Sequence, residues 1–477
     1  MRLPLPDIKD IKPTVGFFGL AARLPSALKS GDKKMGKYTS AVKGTQDVLP
    51  QESYKWQYIE RILLENARNY GFKEIRVPVF EHTELFDRSV GDTTDVVQKE
   101  MYTFDDKGGR SITLRPEGTA GTVRSVIEHG LFNEALPLKC SYILSCYRYE
   151  KPQAGRLREF HQFGAECFGP AGYAADAEVI AMAASGFDRL GVDGVTLEIN
   201  SIGCPECRKT YLAALREYFE GRKEELCDTC RGRLERNPMR ILDCKSPVCS
   251  EIASHAPKVL DYICDDCREH FEGLKMRLDD MGIEYVVNPK IVRGLDYYTR
   301  TVFEFVSNNI GAQGTVCAGG RYDGLVSQMG GPKLPALGFA MGLERLLLLM
   351  QSKGVEFPED ARPVLYIAPM GENAAAFASR AVKNLREEGF YALYDVSGRG
   401  LKAQMKYADK IRAEYCMVVG DDEMNTGNAV LKNMDSGEEK SISLERLTEE
   451  IYDMTIDKAM GNLTDSIEKS FGGKADV

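Results

Sequence analysis

The segment RYEKPQAGRLREFHQFGAECFG, residues 148–169, carries four lysine or arginine and three acidic side chains within a pattern that alternates like a β-strand. Every second side chain of a strand points to the same face. Phe160, Gln162 and Glu166 therefore share one face, which Arg148 would join from the preceding strand of a hairpin. Guanidinium groups bind phosphate oxygens in pairs, the Phe160 ring suits a planar base, and the two polar side chains could hold a small polar ligand. Alternatively, the segment is an exposed hairpin with paired surface charges.

The cysteines suggest a second kind of chemistry. Eight of the thirteen lie in four close pairs, CPEC (204–207), CDTC (227–230), CKSPVC (244–249) and CDDC (264–267). Thiolates at this spacing are typical zinc ligands and could form up to two four-cysteine sites. Reduced cysteines in a helical insertion, with one redox-sensitive pair, would give the same pattern. The candidate ligands are Cys204, Cys207, Cys227, Cys230, Cys244, Cys249, Cys264 and Cys267.

Hydrophobic periodicity predicts the elements that would position these residues. Residues 51–70 have helical spacing, and residues 72–86 alternate toward a strand that Pro78 confines to a sheet edge. Residues 137–150 and 157–169 predict the two strands of the hairpin. Beyond the linker-like stretch SKGVEFPEDARP, short strands alternate with helical segments, which indicates a separate α/β domain.

Composition limits the function classes. The chain has 477 residues, which predicts two or three domains, and its net charge of -9 argues against a globally basic nucleic-acid binder. No apolar stretch reaches the roughly 18 residues of a membrane helix. Residues 1–37 resemble a mitochondrial transit peptide only weakly, so we interpret them as a disordered arm or the product of an upstream start codon.

Several segments of the chain resemble the sequence motifs of the class II aminoacyl-tRNA synthetases. The Arg-x-Glu of residues 148–150 and the Gly-Arg and Arg-x-Phe that follow resemble motif 2 of that class. RVPVF (76–80) after a long helix resembles motif 1, and GFAMGLERL (338–346) resembles motif 3. Four further segments are similar to signatures of the histidyl-tRNA synthetase family, namely KGTQDVLP (43–50), LRPEGTA (114–120), RGLDYYTRTVFE (293–304) and AGGRYDGL (318–325).

The resemblance, which covers roughly residues 38 to 450, implies an α+β fold. A class II antiparallel sheet with flanking helices would occupy residues 38–355, with the cysteine-rich helical insertion at 201–286. A C-terminal α/β anticodon-binding domain would occupy 361–450 and a tail 451–477. The cysteines fall outside every motif that holds ATP or histidine in the family, so we expect them to be structural.

The resemblance also implies an activity. A cytoplasmic homodimer would let the histidine carboxylate attack the α-phosphate of ATP, which is bound with Mg²⁺, so that pyrophosphate leaves. The histidyl group of the adenylate would then be transferred to the 3′ end of tRNA, and AMP would be released. Catalysis would rest on positioning and charge stabilisation by Arg293 and Arg148. The ATP-binding residues would be Arg148, Glu150, Arg156, Phe160 and Arg345. The histidine-binding residues would be Glu117, Gly118, Thr119, Gln162, Glu166, Arg293, Tyr297, Tyr298 and Tyr322.

Two groups of residues have a simpler alternative. Arg293 could form a structural salt bridge with Asp296. His161 lies on the strand face opposite Phe160 and Gln162, so we interpret it as a packed or hydrogen-bonded histidine rather than a catalytic base.

The segment GRGLKAQMKYADKIR (398–412) places basic residues at helical spacings of three and four. In the implied anticodon-binding domain this face would contact tRNA phosphates. A solvated charged face would give the same pattern. The candidate tRNA-binding residues are Arg399, Lys402, Lys406 and Lys410.

The main alternative function is a non-catalytic, synthetase-like subunit that senses histidine, such as the regulatory subunit of ATP phosphoribosyltransferase. Such paralogues lack the anticodon domain and have degraded catalytic motifs. This chain retains Arg148, Arg293 and Arg345 and has an additional domain, which favours the enzyme. A generic nucleotide-binding module would not explain Glu166 and Tyr298.

Overall fold

A computed structural model describes residues 40–90, 94, 96–293, 295–307 and 314–471. The predicted extension at residues 1–37 lies outside this part of the chain. The described residues form two compact units. The first comprises the residues up to Glu52 together with Ile59–Val355, and the second comprises Ser53–Tyr58 together with the residues from Glu356 onward. Within the described residues, no helix is both long enough and apolar enough to span a bilayer.

The first unit has eleven strands and ten α-helices in its described residues. The strands are β1 (Lys73–Glu74), β2 (Phe80–His82), β3 (Tyr102–Asp105), β4 (Ser111–Leu114), β5 (Leu138–Tyr147), β6 (Glu159–Phe168), β7 (Thr196–Ser201), β8 (Val286–Val287), β9 (Thr299–Val306), β10 (Thr315–Arg321) and β11 (Ala336–Gly342). The helices are α1 (Pro50–Asn69), α2 (Thr83–Val90), α3 (Thr119–Glu128), α4 (Tyr173–Arg189), α5 (Pro205–Glu220), α6 (Asp228–Arg236), α7 (Pro247–Ser254), α8 (Asp265–Asp280), α9 (Leu325–Gln328) and α10 (Leu343–Ser352).

Eight of these strands form one sheet in the order β1-β5-β6-β11-β10-β9-β7-β8. Neighbouring strands are antiparallel except at the two edges, where β1 and β8 pair in parallel with β5 and β7. Strands β2, β4 and β3 form a separate antiparallel sheet. This antiparallel architecture agrees with the predicted fold class. The sheet presents one broad face on which loops between distant strands can converge.

The predicted hairpin is present as β5 and β6, with Leu144 opposite Gln162 and Cys146 opposite Phe160. The first strand ends at Tyr147, three residues earlier than its sequence pattern suggests, so Arg148 and Glu150 lie in the connecting loop. Alternation along β6 places Phe160, Gln162 and Glu166 on one face of the sheet and His161 on the other, as the period of a strand requires.

Glycine makes room beneath this face at Gly338 on β11. A Cβ atom built there would collide with the carboxylate of Glu166 and with the Ala165 carbonyl oxygen. Since β6 and β11 are hydrogen-bonded neighbours that pair Gly338 with Glu166, the missing side chain is what lets the buried carboxylate lie across the sheet.

Between β7 and β8 the chain forms the predicted helical insertion, which contains α5 to α8. Its apolar side chains, among them Tyr211, Leu215 and Phe219, are buried in one continuous cluster with Tyr298 and Tyr322 of the sheet layer. The insertion therefore shares its core with the rest of the first unit.

The predicted strand at residues 72–86 is wrong in detail. The chain there forms only the short β1 and β2 before α2 begins at Thr83. Pro78 lies between the two strands and has no backbone N–H to continue a ladder, which explains the interruption.

The second unit is an α/β layer. Its strands are β12 (Leu365–Pro369), β13 (Ala392–Tyr394), β14 (Tyr415–Val419), β15 (Asn428–Asn433) and β16 (Glu439–Ser443), and its helices are α11 (Glu372–Glu387), α12 (Leu401–Lys410), α13 (Asp421–Thr426) and α14 (Leu447–Phe471). The sheet order is β13-β12-β14-β15-β16. The predicted tail at 451–477 begins inside α14, and residues 472–477 lie outside the described chain.

Candidate active site

A cavity of about 920 Å³ opens on the face of the eight-stranded sheet. Its wall includes most of the residues predicted to hold the two small reactants, namely Glu117, Thr119, Arg148, Glu150, Arg156, Phe160, Gln162, Arg293, Tyr297, Tyr298, Tyr322 and Arg345. The wall carries Glu117 and the phenols of Tyr297, Tyr298 and Tyr322, and it also carries the guanidinium groups of Arg148, Arg156 and Arg345. One cavity can therefore receive both a cationic and an anionic group.

Glu166 lies behind this wall and is 1% exposed. Its carboxylate accepts hydrogen bonds from Thr119 Oγ1 at 2.7 Å, from Tyr142 Oη at 2.9 Å and from the hydroxyl of Tyr322. Burial raises the pKa of Glu166 to about 8, against the opposing effect of these hydroxyls. Because Thr119 and Tyr322 donate their protons inward, their oxygen lone pairs remain available to a ligand in the cavity.

Glu117 closes the N-terminal end of α3. Its carboxylate accepts the backbone N–H groups of Thr119 at 2.6 Å and Ala120 at 2.8 Å. A carboxylate at this position satisfies helix N–H groups and interacts favourably with the helix dipole. Burial nevertheless raises the pKa of Glu117, more than these hydrogen bonds lower it. Gly118 lies between Glu117 and the helix, against the ring of Tyr142.

Arg293 does not pair with Asp296, which was the structural alternative in the sequence. Its guanidinium instead forms an ion pair with Glu304 on β9, whose other carboxylate oxygen accepts Thr315 Oγ1 at 2.7 Å. Burial opposes the charge on Arg293, but Glu304 raises its pKa. Arg293 has a backbone φ of 48°, in the left-handed region that few non-glycine residues adopt.

The arginine-rich part of the cavity is held by loop contacts. Arg148 donates through Nε to the Pro116 carbonyl at 2.9 Å, and its guanidinium lies 5.1 Å from the centre of the Phe160 ring. Arg345 donates to the carbonyls of Gly155 at 3.2 Å and Thr315 at 2.7 Å. The guanidinium of Arg148 therefore covers the Phe160 ring.

Glu150 is nearly buried and forms an ion pair with Arg156. Both residues lie in the loop that joins β5 to β6, where Gln153 and Arg156 exchange backbone hydrogen bonds of 2.9–3.0 Å. This turn holds Arg156 over the cavity. Burial lowers the pKa of Arg156, with a further contribution from Arg148.

His161 is hydrogen-bonded, as predicted. Its backbone N–H and its Nδ1 atom both contact the Glu344 carboxylate, at 3.0 Å and 2.9 Å. Burial lowers the pKa of His161, but Glu344 more than compensates, so the pKa is raised overall.

Several cavity residues had no motif signal strong enough to single them out. Glu304 and Thr315 hold Arg293 and Arg345, and Tyr142 supports Glu166 from below. Residues of the insertion, among them Asp243 and Cys244, also line the cavity. The sequence did contain a signal for Glu304. The segment RGLDYYTRTVFE begins with Arg293 and ends with Glu304, and their opposite charges could have suggested an ion pair.

The eight paired cysteines converge into two clusters. Cluster A contains Cys204, Cys207, Cys264 and Cys267, and cluster B contains Cys227, Cys230, Cys244 and Cys249. Within each cluster all four sulfur atoms lie within 4.8 Å of one another. The remaining five cysteines are buried, as small core residues are expected to be.

The basic face predicted at residues 398–412 is only partly formed. Helix α12 carries Lys402, Lys406 and Lys410, which are all exposed. Arg399 lies before the helix, and its backbone N–H and its Nε bond to the Asp395 carboxylate at 2.7 and 2.6 Å. The prediction that Arg399 shares the helix face is therefore wrong, because Gly400 is the N-cap and the helix begins at Leu401.

Comparisons with known proteins identify similar chains. A family model described as "Histidyl-tRNA synthetase" matches residues 44–216 and 250–346, and one described as "Anticodon binding domain" matches 365–454. The histidine–tRNA ligase of Acetivibrio thermocellus is 57% identical over 409 residues, which are 86% of this chain and 98% of the relative. The histidine–tRNA ligase of Caldanaerobacter subterraneus is 54% identical over 413 residues, which are 87% of this chain and 99% of the relative.

Solved structures agree with these sequences. The apo histidyl-tRNA synthetase of S. aureus is 41% identical, with a TM-score of 0.74, over 86% of this chain and 99% of that one. A protein from Bacillus halodurans titled as an ATP phosphoribosyltransferase regulatory subunit/histidyl-tRNA synthetase is 22% identical, with a TM-score of 0.59, over 80% of this chain and 99% of that one. At that identity the likeness extends to the fold alone.

Proposed function

The chain belongs to the histidyl-tRNA synthetase family, and from that premise we propose which side chains of its cavity hold each reactant. The activity is that of a histidine–tRNA ligase, with histidine, ATP and tRNA as reactants. The regulatory-subunit alternative is wrong, because relatives that are 54–57% identical over most of the chain are histidine–tRNA ligases.

Histidine binds at the acidic part of the cavity. Glu117, Thr119 and Gln162 accept the ammonium group, and the imidazole lies among Tyr297, Tyr298 and Tyr322. This arrangement is supported by the buried carboxylate of Glu166, which turns the oxygens of Thr119 and Tyr322 toward the cavity. A site that bonds both imidazole nitrogens rejects amino acids without them, because its own polar groups would be left unpaired.

ATP binds at the arginine-rich part with Mg²⁺, which its phosphates would hold. Arg148 contacts the α-phosphate, Arg156 reaches the outer phosphates and Glu150 meets the adenine edge. On binding, the base would lie between Phe160 and Arg345 and displace the Arg148 guanidinium from the ring. The ion pair between Arg156 and Glu150 would then open as each group meets its own part of the nucleotide.

The reaction needs no nucleophile from the protein. The histidine carboxylate attacks the α-phosphorus and pyrophosphate leaves, so the protein contributes positioning and charge stabilisation. Arg293 is placed for this task at the cavity wall, charged and held by Glu304. The ribose end of tRNA then attacks the adenylate.

The single observation that supports these assignments is that one cavity is lined both by Glu117, with Glu166 behind it, and by the three arginines Arg148, Arg156 and Arg345. The test is ATP–pyrophosphate exchange with each of the twenty amino acids. Exchange with histidine alone is expected. Exchange that remains equal to the parent's in both Glu166→Ala and Arg148→Ala variants would contradict the assignments.

We further propose a cytoplasmic homodimer. Large apolar side chains are exposed on the small sheet and its entry, namely Val79 at 41%, Phe80 at 54% and Phe104 at 48%. Val79 and Phe80 belong to the segment that resembles motif 1, the dimer-forming element of this class. An isologous two-fold contact would cover such a patch on both subunits. Sedimentation at micromolar concentration tests this proposal.

For tRNA, we propose that α12 in the anticodon-binding unit contacts phosphates through Lys402, Lys406 and Lys410. The exposure of these three side chains on one helix supports the assignment. Arg399 would join them only after exchanging its Asp395 partner for a phosphate. Replacing the three lysines together should weaken tRNA binding and leave pyrophosphate exchange unchanged.

We also propose that clusters A and B each bind one structural Zn²⁺ ion. Tetrahedral zinc with Zn–S bonds of about 2.3 Å places its sulfurs about 3.8 Å apart. Cys204 and Cys207 sulfurs are 3.5 Å apart, and those of Cys227 and Cys244 are 3.9 Å apart. These separations fit ligation, and they are far longer than a disulfide bond of about 2.05 Å.

Backbone N–H groups also point at the sulfurs, as they do around metal-bound thiolates. The N–H of Cys264 donates to Cys207 Sγ at 3.0 Å, and that of Cys227 donates to Cys249 Sγ at 3.2 Å. Elemental analysis of the purified protein should find two zinc ions per chain.

A further inference from the structure

The loop at residues 293–298 brings three proposed histidine-site residues, Arg293, Tyr297 and Tyr298, to the cavity. Its described residues belong to neither a helix nor a strand. Contacts from outside the loop must therefore hold it, since a segment without its own hydrogen-bond ladder is otherwise easily displaced.

Arg208 of α5 supplies one such contact. Its guanidinium donates to the carbonyl of Asp296 at 3.3 Å and to that of Tyr298. The Nε atom of Arg208 is buried and has no hydrogen-bond partner among the described residues. A guanidinium that bonds two loop carbonyls and leaves a buried nitrogen unpaired is costly to fold, which indicates a role beyond packing.

The Asp296 side chain supplies the second contact. Its Oδ1 accepts Asn237 Nδ2 at 3.1 Å and Arg240 Nη2 at 3.3 Å. Both donors come from the short turn at the end of α6, where Pro238–Ile241 forms one 3₁₀ turn. The insertion therefore holds the loop by its backbone and by its one acidic side chain.

The residues that make these contacts lie next to the cysteine clusters in the chain. Arg208 directly follows Cys207 of cluster A, and its backbone N–H bonds to the carbonyl of Cys204 at 3.0 Å. Asn237 and Arg240 lie between Cys230 and Cys244 of cluster B. A metal ion bound by both cysteines would tie the two ends of this segment together and so restrict its movement.

We propose that Arg208, Asn237 and Arg240 are positioning residues for histidine, and that metal in clusters A and B keeps them in place. The inference rests on the proposed zinc sites and on the proposed histidine site, and it goes beyond them by giving the insertion a part in amino-acid binding. Loss of metal would act on histidine binding and spare ATP.

The main test compares the full-length protein with Arg208→Met, which keeps the aliphatic length but loses both donors. The matched control is Lys209→Met, an exposed residue on the same helix. Pyrophosphate exchange gives KM for histidine and for ATP separately, and elemental analysis gives metal content. Arg208→Met should retain its metal and raise the histidine KM at least about tenfold, because it loses two charge-assisted hydrogen bonds and one alone corresponds to about that factor. The KM for ATP should remain within about twofold.

A second experiment, in which the metal is removed, distinguishes the metal dependence of the loop from the positioning role of Arg208. Removing metal with a thiol-competitive chelator should weaken equilibrium histidine binding in the parent, and zinc should restore it. The same treatment of Arg208→Met should cost less than in the parent, because the two changes act through one contact. Arg240→Met gives a second variant in case Arg208→Met fails to fold.

The outcomes are distinguishable. Protein that holds no metal overturns the zinc assignment and with it the metal dependence of the loop. Metal-bound protein in which neither Arg208→Met nor Arg240→Met changes histidine affinity overturns the positioning role alone. Equal losses for histidine and ATP would also overturn it, since they indicate general unfolding of the cavity.

Discussion

Replacing Glu166 with glutamine should remove a pH dependence from both folding and histidine binding. Glutamine has nearly the same shape as the protonated carboxyl group, and it can still accept from Thr119 and Tyr142. The parent carboxyl titrates at about 8 in the folded chain, against an ordinary value of 4.5, chiefly because it is buried. The variant has no proton to exchange in this range.

The size of the effect on stability follows from linkage. Folding takes up a proton on Glu166 between pH 4.5 and about 8. The contribution is therefore fully present below pH 4.5 and is lost as the pH rises through about 8. At about 1.4 kcal/mol per pH unit, the whole window corresponds to at most about 5 kcal/mol. Chemical unfolding of parent and Glu166→Gln at several pH values measures it, and subtraction removes the titrations that both proteins share.

The affinity for histidine should depend on the protonation state of Glu166 as well. The ammonium group of histidine, proposed to lie at Glu117, Thr119 and Gln162, is positive and favours an ionised Glu166 behind Thr119. We therefore expect histidine binding below pH 8 to release the proton from Glu166. The parent's histidine affinity should then rise by up to about tenfold from pH 7 to pH 8 and level off above. Glu166→Gln should show a flat profile over this interval, in which the free imidazole is already mostly neutral.

The assay is equilibrium binding of labelled histidine between pH 7 and 8.5, with ATP binding as the internal control. A parent profile that is flat, or a slope that Glu166→Gln retains, would refute this reasoning. Glu166→Ala tests the geometry separately, because it leaves three hydroxyls without their acceptor. It should lower histidine-dependent exchange by at least roughly 10- to 150-fold, which is equivalent to the about 1.5–3 kcal/mol of a single hydrogen bond to a charged group.

Three further predictions concern other parts of the chain. Arg293→Ala should lower the single-turnover adenylation rate with little change in histidine or ATP affinity, because its charge is needed chiefly in the transition state; a variant that loses only affinity contradicts this role. Phe80→Asp should shift the protein toward monomer in sedimentation, whereas Val430→Asp, which changes a similarly exposed side chain of the second unit, should not; an unchanged dimer, or a parent that is monomeric, would be evidence against the proposed interface. The double variant Cys227→Ser, Cys230→Ser should bind one zinc ion instead of two and expose the insertion to proteases; unaltered metal content would count against cluster B as a site.

Local patterns predicted the hairpin well. Strict alternation specified which side chains of β6 share a face, and the same rule placed His161 on the other side, where it bonds Glu344. The close cysteine pairs likewise indicated two four-sulfur groups. Sequence spacing does not reveal which pairs join, because this depends on how α5 and α8 bring their N-terminal ends together.

The failures are of two kinds. The prediction for Arg399 failed because of one local feature, since Gly400 caps the helix and the helix begins only at Leu401. The partners of Arg293 and Asp296 were missed because they come from other elements. Asp296 was expected to pair three residues away, but its backbone is held by Arg208, 88 residues earlier in the chain. Periodicity describes an element's faces, whereas pairings between elements require the tertiary fold.

The absent side chain at Gly338 has a consequence for redesigning this cavity. Any larger residue would take the place of the Glu166 carboxylate and press on the neighbouring strand. A library that seeks to make the enzyme accept a different amino acid should therefore leave this position alone and vary Thr119 and Tyr322 instead. Those two can change the shape presented to the substrate, whereas a change at the glycine would dismantle the support on which every new specificity would depend.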